Sequence, residues 1–167
     1  MTSSEGALIL HPDAIGFTMC ARNWVLQDRN RTSFEMIDAC RLSWVNPCIT
    51  HRFPVIRIPR VERYDLWVLR LDTAASMHQV ACILERFGLR HAGLPQLTAL
   101  CEFERLVSTD RCIIALGNVT TDAPSKRAVY VEQGTDGTWT LNMGWFEHGF
   151  PAGTCFLALE PLAPIIT

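Results

Sequence analysis

Thr138-Trp139-Thr140-Leu141-Asn142-Met143-Gly144-Trp145 alternates bulky apolar residues with small or polar ones. A period of two is the signature of a strand with one covered and one open face, so the odd positions share a face. Gly134-Thr135-Asp136-Gly137 precedes the run, and its Asp-Gly pair supplies the positive φ that a tight hairpin needs. Upstream of that turn, Arg127 to Gln133 is rich enough in β-branched and aromatic residues to be the partner strand. Cys112 to Leu116 is apolar on both faces, as a central covered strand would be, and Thr154 to Leu159 resumes an extended pattern after Phe150-Pro151-Ala152-Gly153. The reading is a four-stranded antiparallel meander between Arg111 and Glu160.

Working outward, Tyr64 to Leu71 reads as another strand, with Leu66 and Val68 on one face and Trp67, Leu69 and Leu71 on the other. Asp72 or Thr73 then caps a helix to Phe87, closed by Gly88, whose inward stripe is Met77, Val80, Ala81, Leu84 and Phe87. Pro95 opens a second helix that runs to about Val107. Thr32 to Trp44 reads as a further helix capped by Thr32 or Ser33 and stopped by Asn46-Pro47. Val55 to Ile58, between two prolines, is expected to be an edge strand, and Ala7 to Leu10 and Ile15 to Cys20 are short extended runs. These elements predict a single α+β domain over 1–167: a curved, mainly antiparallel sheet with two or three helices packed on one face.

The 167 residues suffice for one domain with a substantial core. Although 49% of them are hydrophobic, no apolar run approaches the ~20 residues that a helical membrane span needs. Met1-Thr2-Ser3-Ser4-Glu5 lacks the basic-then-apolar layout of a signal peptide, so seven irregularly spaced cysteines are expected as reduced thiols in a cytoplasmic protein. A net charge of −2 gives no global field to attract nucleic acid or an anionic membrane. Residues 22–63 hold eight arginines against four acids, a local +4 balanced by −6 elsewhere, which suits docking within the chain or between subunits. Arg52, Arg57, Arg60 and Arg63 with Phe53 and Tyr64 superficially suit single-stranded nucleic acid, but the total charge and the single lysine, Lys126, argue against it.

Three groupings carry chemistry. His78, Cys82 and Glu85 fall in line on the flank of the first long helix, and Cys48-Ile49-Thr50-His51 adds a second Cys/His pair. Together they offer four zinc ligands, but neither spacing is diagnostic, so the expected reading is a solvated flank with no metal and no cofactor. On the second helix Leu97, Leu100, Cys101, Phe103 and Val107 form an apolar arc with Glu104 inside it. That carboxylate must meet an arginine of the 52–63 stretch or project into a cavity where burial raises its pKa. The third grouping is Gly144 to Pro151, where Trp145, Phe146, Glu147, His148 and Phe150 crowd one loop as a pocket wall, a subunit interface or a lid on the core. No phosphate-binding glycine loop, His-Glu-x-x-His or Gly-x-Ser-x-Gly is present.

The leading expectation is a non-catalytic, self-associating protein that binds a small, partly apolar ligand between sheet and helices, through Trp139, Met143, Trp145, His148 and Glu104. One alternative is an enzyme using Glu104 or His148 as general acid/base. Another is a protein–protein interaction module of the inhibitor or immunity type, with the 146–150 loop and the arginine stretch exposed.

Overall fold

The structure, a computed structural model, describes residues 17–26, 31–52, 63–102, 112–120 and 127–161. In chain order the elements are β1 (Phe17–Leu26), α1 (Ser33–Ala39), β2 (Trp44–Val45), α2 (Pro47–Arg52), β3 (Arg63–Leu71), α3 (Met77–Arg86), β4 (Arg90–His91), α4 (Leu94–Glu102), β5 (Cys112–Thr120), β6 (Arg127–Gln133), β7 (Trp139–Trp145) and β8 (Cys155–Pro161). Seven strands lie in the order β1-β3-β8-β5-β6-β7-β2, and β4 joins off this row by pairing with β8. The edge strand expected at Val55 to Ile58 and the run Ala7 to Leu10 lie outside the described residues.

The hairpin that decided the reading is present: β6 and β7 pair antiparallel from Gln133↔Trp139 to Arg127↔Trp145 without a register shift. The expected fourth strand of the meander goes elsewhere. β8 leaves β7 and inserts between β3, to which it is antiparallel, and β5, to which it is parallel. With β2 and β7 also parallel, the sheet is mixed rather than mainly antiparallel. The cause lies in β8 itself: Cys155, Phe156, Leu157, Ala158 and Leu159 are all buried. A strand apolar on both faces must stand inside a sheet covered on both sides, a place that the outer side of β7 does not provide.

Those two coverings are separate cores. Leu66, Val68, Ile113, Ala115, Val129, Val131, Leu141 and Leu157 pack with Ile37 of α1, Ile49 of α2 and Leu94, Leu97 and Leu100 of α4. Leu69, Leu71, Ile114, Leu116, Ala128 and Phe156 pack with Val80 and Leu84 of α3. The alternation along β3 is thus as expected, but helices stand on both faces rather than on one. α4 lies across the first face, touching β1 towards one side and β5 and β6 towards the other.

Local chemistry explains the element bounds. α1 starts at a capping box between Thr32 and Glu35 and ends at Cys40, after which Arg41 takes a positive φ of 50°. It does not continue to Trp44, because Trp44 and Val45 pair with Thr140 and Leu141 along the edge of β7. Asn46-Pro47 begins α2 instead of stopping a helix: Pro47 takes the first helical position and the Asn46 carboxamide oxygen accepts the Cys48 N–H at 3.0 Å. α3 begins later than expected, at Ser76 with its own Gln79 capping box, because Ala75 is held extended by two backbone bonds to Phe150. Its buried side chains are Val80, Ile83 and Leu84, while Phe87, expected inside, is partly exposed. The remainder of the helix expected to reach Val107 is beyond the described residues.

Where β5 leaves β8, the short strand β4 takes its place: Ala92 N–H donates to Leu157 O, and Gly117 N–H to Ala92 O at 2.8 Å. The close approach there requires glycine at 117. A Cβ on it would stand 2.8 Å from the Ala92 carbonyl carbon and 2.9 Å from Gly93 N.

Candidate functional site

Because β6 and β7 pair without a bulge, the rows Gln133/Trp139, Val131/Leu141, Val129/Met143 and Arg127/Trp145 all stand on the first face. Trp139 and Met143 are half-buried against the first core, Leu141 is fully buried, and Trp145 is 56% exposed. At a rise of roughly 3.3 Å per residue the two indoles are ~20 Å apart along the strand, so one small ligand cannot touch both. Among the described residues the Trp145 end is the open one. There the Arg127 guanidinium carbon lies 3.9 Å from the centre of the indole ring, a cation–π stack between cross-strand partners.

The edge of β7 is closed up to this point. β2 covers it as far as Leu141, whose carbonyl accepts the Asn46 N–H at 2.9 Å. Next, the Asn142 carboxamide oxygen accepts both the Met143 N–H at 2.8 Å and the Asn46 side-chain N–H at 2.9 Å. Asn142 thereby occupies a backbone donor that would otherwise invite a further strand.

His148 is not part of this arrangement. After Trp145 the chain turns across the second face, and Phe146 lies over Gly144 and Tyr130, where a glycine Cβ would stand 3.0 Å from each ring. Tyr130, Phe146, Phe150 and Phe156 then follow one another at centroid distances of 6.2, 5.2 and 4.7 Å, paving the crossover from β7 to β8. Phe146 and Phe150 therefore lie on the second core as a lid, whereas Glu147 and His148 are exposed on a turn that bonds to Ala75 beside the start of α3. Glu104 lies outside the described residues. Trp139, Met143 and Trp145 thus share a face, and His148 stands apart from them on the turn leading to the other.

Arg127 is the residue that inspection of the sequence missed. The signal was there: counting outward from the Asp136-Gly137 turn pairs position 127 with 145. A second grouping was less legible. On the second face, fully buried Asp65 stands opposite Glu160, and Trp67 opposite Ala158, which in turn stands opposite His91. Burial lowers the pKa of His91, with Glu85 opposing, and its Nδ1 is buried without a hydrogen-bond partner.

Two thiols are held in the protonated form. Cys101 is pushed well up by a hydrogen bond to the Cys40 thiol and by burial. Burial, with Glu132 opposite it, raises Cys112 to about 11 from 9.0. Tyr130 is raised in the same direction, by burial, Glu132 and Cys112. A group that ionises more readily in the unfolded chain than in the fold costs stability as pH rises. The stability that depends on these groups staying protonated is therefore expected to be fully present below about pH 9 and to be lost between about 9 and 11. Cys112→Ser should flatten part of that fall, leaving the parts due to Cys101 and Tyr130. Thermal midpoints across this range check it, and a Cys112→Ser profile identical to that of the parent would refute the assignment.

The helices that carry the two Cys/His pairs stand on opposite sides of the sheet: Ile49 seats α2 on the first core and Val80 seats α3 on the second. No helix among the described residues is long and apolar enough to cross a membrane. Compared with protein families, with curated proteins and with solved structures, the chain matches none of them.

Proposed function

We propose that this is a non-catalytic binding protein whose site is the open end of the first face, formed by Met143, Trp145 and Arg127. Its ligand is a small, partly apolar molecule carrying a carboxylate or similar anion. The observation behind this reading is the exposed Trp145 ring, covered by a guanidinium 3.9 Å from its centre. Pre-ordering an indole and a planar five-donor fork lowers the entropy cost of binding, and the pair matches an apolar body next to an anionic group.

Titrating the protein with indole acetate, phenylacetate and octanoate while following tryptophan fluorescence tests it. At least one is expected to change the emission saturably. Trp145→Leu should abolish that response, and Arg127→Ala should weaken binding by roughly tenfold or more, as for loss of a charge-assisted contact of ~1.5–3 kcal/mol. Silence from every probe, or a response unchanged in both variants, would remove the basis of the proposal.

A contact between protein surfaces is the second reading, favoured by Phe34 and Trp44, 62% and 48% exposed. The expected self-association belongs to this reading. Light scattering of the parent and of Trp44→Ala separates the two, since a ligand site alone leaves the mass unchanged.

A further inference from the structure

On α3 the Cys82 thiol lies 3.6 Å from Nε2 and 4.0 Å from Nδ1 of His78, one helical turn earlier, and both side chains are exposed. From this geometry we infer that His78 and Cys82 form a chelating site for a soft divalent cation of the zinc class.

The distance is the argument. Zinc–sulfur and zinc–imidazole bonds of about 2.3 and 2.0–2.1 Å at a tetrahedral angle put sulfur and nitrogen about 3.6 Å apart. The separation to Nε2 already has that value; because Nδ1 is nearly as close, the sulfur stands to the side of the Nε2 lone pair, and the exposed imidazole rotates about its side-chain bonds to admit the cation. The helix under the pair is set: Ser76 and Gln79 close a capping box before it, and Val80, Ile83 and Leu84 anchor the opposite stripe in the second core. Glu85, exposed and one turn beyond Cys82, adds a negative charge on the same flank. Among the described residues no third ligand converges with these two, so two waters complete the tetrahedron, one more than in the three-ligand open sites of zinc enzymes. The cation displaces the thiol proton and requires a neutral imidazole, so its affinity rises with pH. The site stands on the other face of the sheet from Trp145 and does not depend on the ligand proposal.

The test uses the full chain, reduced and stripped of metal with a chelator. Cobalt(II) is expected to produce a thiolate-to-cobalt charge-transfer band that zinc then bleaches, and zinc should raise the thermal midpoint by binding only the folded state. His78→Ala and Cys82→Ala should each weaken zinc binding by more than about tenfold, since even loss of an outer-shell partner reaches that range. Alanine at two exposed helical positions keeps the fold, which circular dichroism verifies. Cys48→Ala, away from the site, should bind as the parent does. A missing cobalt–thiolate band, a band that survives in Cys82→Ala, unchanged affinity in His78→Ala or loss in Cys48→Ala would each overturn the assignment.

Discussion

Phe156→Ala is expected to lower the free energy of unfolding by about 3–5 kcal/mol, the range for truncating a buried aromatic ring. Phe156 is 1% exposed and meets the edge of Phe150 at 4.7 Å. Its backbone is paired on both sides, to Leu69 of β3 and to Ile114 of β5, so the walls of the resulting cavity cannot close in. Phe146→Ala is the control, because that ring is half-buried at the solvent side of the same aromatic row. It should cost clearly less. Urea unfolding of the two variants beside the parent measures the difference, and equal losses would show that the aromatic crossover does not seal the second core in the way described.

Gly117→Ala has the second large effect, and there two terms compete. Alanine restricts the unfolded chain, which by itself favours folding by about 0.4–1 kcal/mol. Against that, overpacking a tight site costs about 1–3 kcal/mol. The atoms in the way decide the sign. They are the Ala92 carbonyl and Gly93 N, all backbone, and Ala92 is pinned by hydrogen bonds to Gly117 and Leu157. No flexible side chain can give way, so the steric cost wins and the variant is expected to be less stable by ~1–2 kcal/mol. Amide hydrogen exchange adds a local reading: Gly117→Ala should speed exchange at Ala92 and Gly117 more than in β6 and β7. A variant as stable as the parent would mean that β4 is free to move off β5.

Both expectations concern the place where the sequence was hardest to read. The β6–β7 hairpin was legible because a two-residue alternation and an Asp-Gly turn are local signals, and its register follows from the turn by counting. That register brings Arg127 over Trp145, so it adds the third residue of the proposed binding site to Met143 and Trp145 on the alternating strand. The two faces of β3 were legible for the same reason. The helix bounds were less so, because capping side chains compete: Thr73 and Ser76 both suit an N-cap, and the bonds from Ala75 to Phe150 chose the later one.

By itself, the chain determined which segments extend, which face of each strand is apolar and where the tight hairpin turns, because these depend on neighbours within a few residues. Only the tertiary structure decided that β8 leaves the hairpin to stand between β3 and β5, that two-residue strands at Trp44 and Arg90 complete the sheet, and that helices cover both faces. A two-residue strand has no periodicity to read. An all-apolar strand such as β8 says that it must be covered, but its partners, tens of residues away, are chosen by which arrangement buries both of its faces at once.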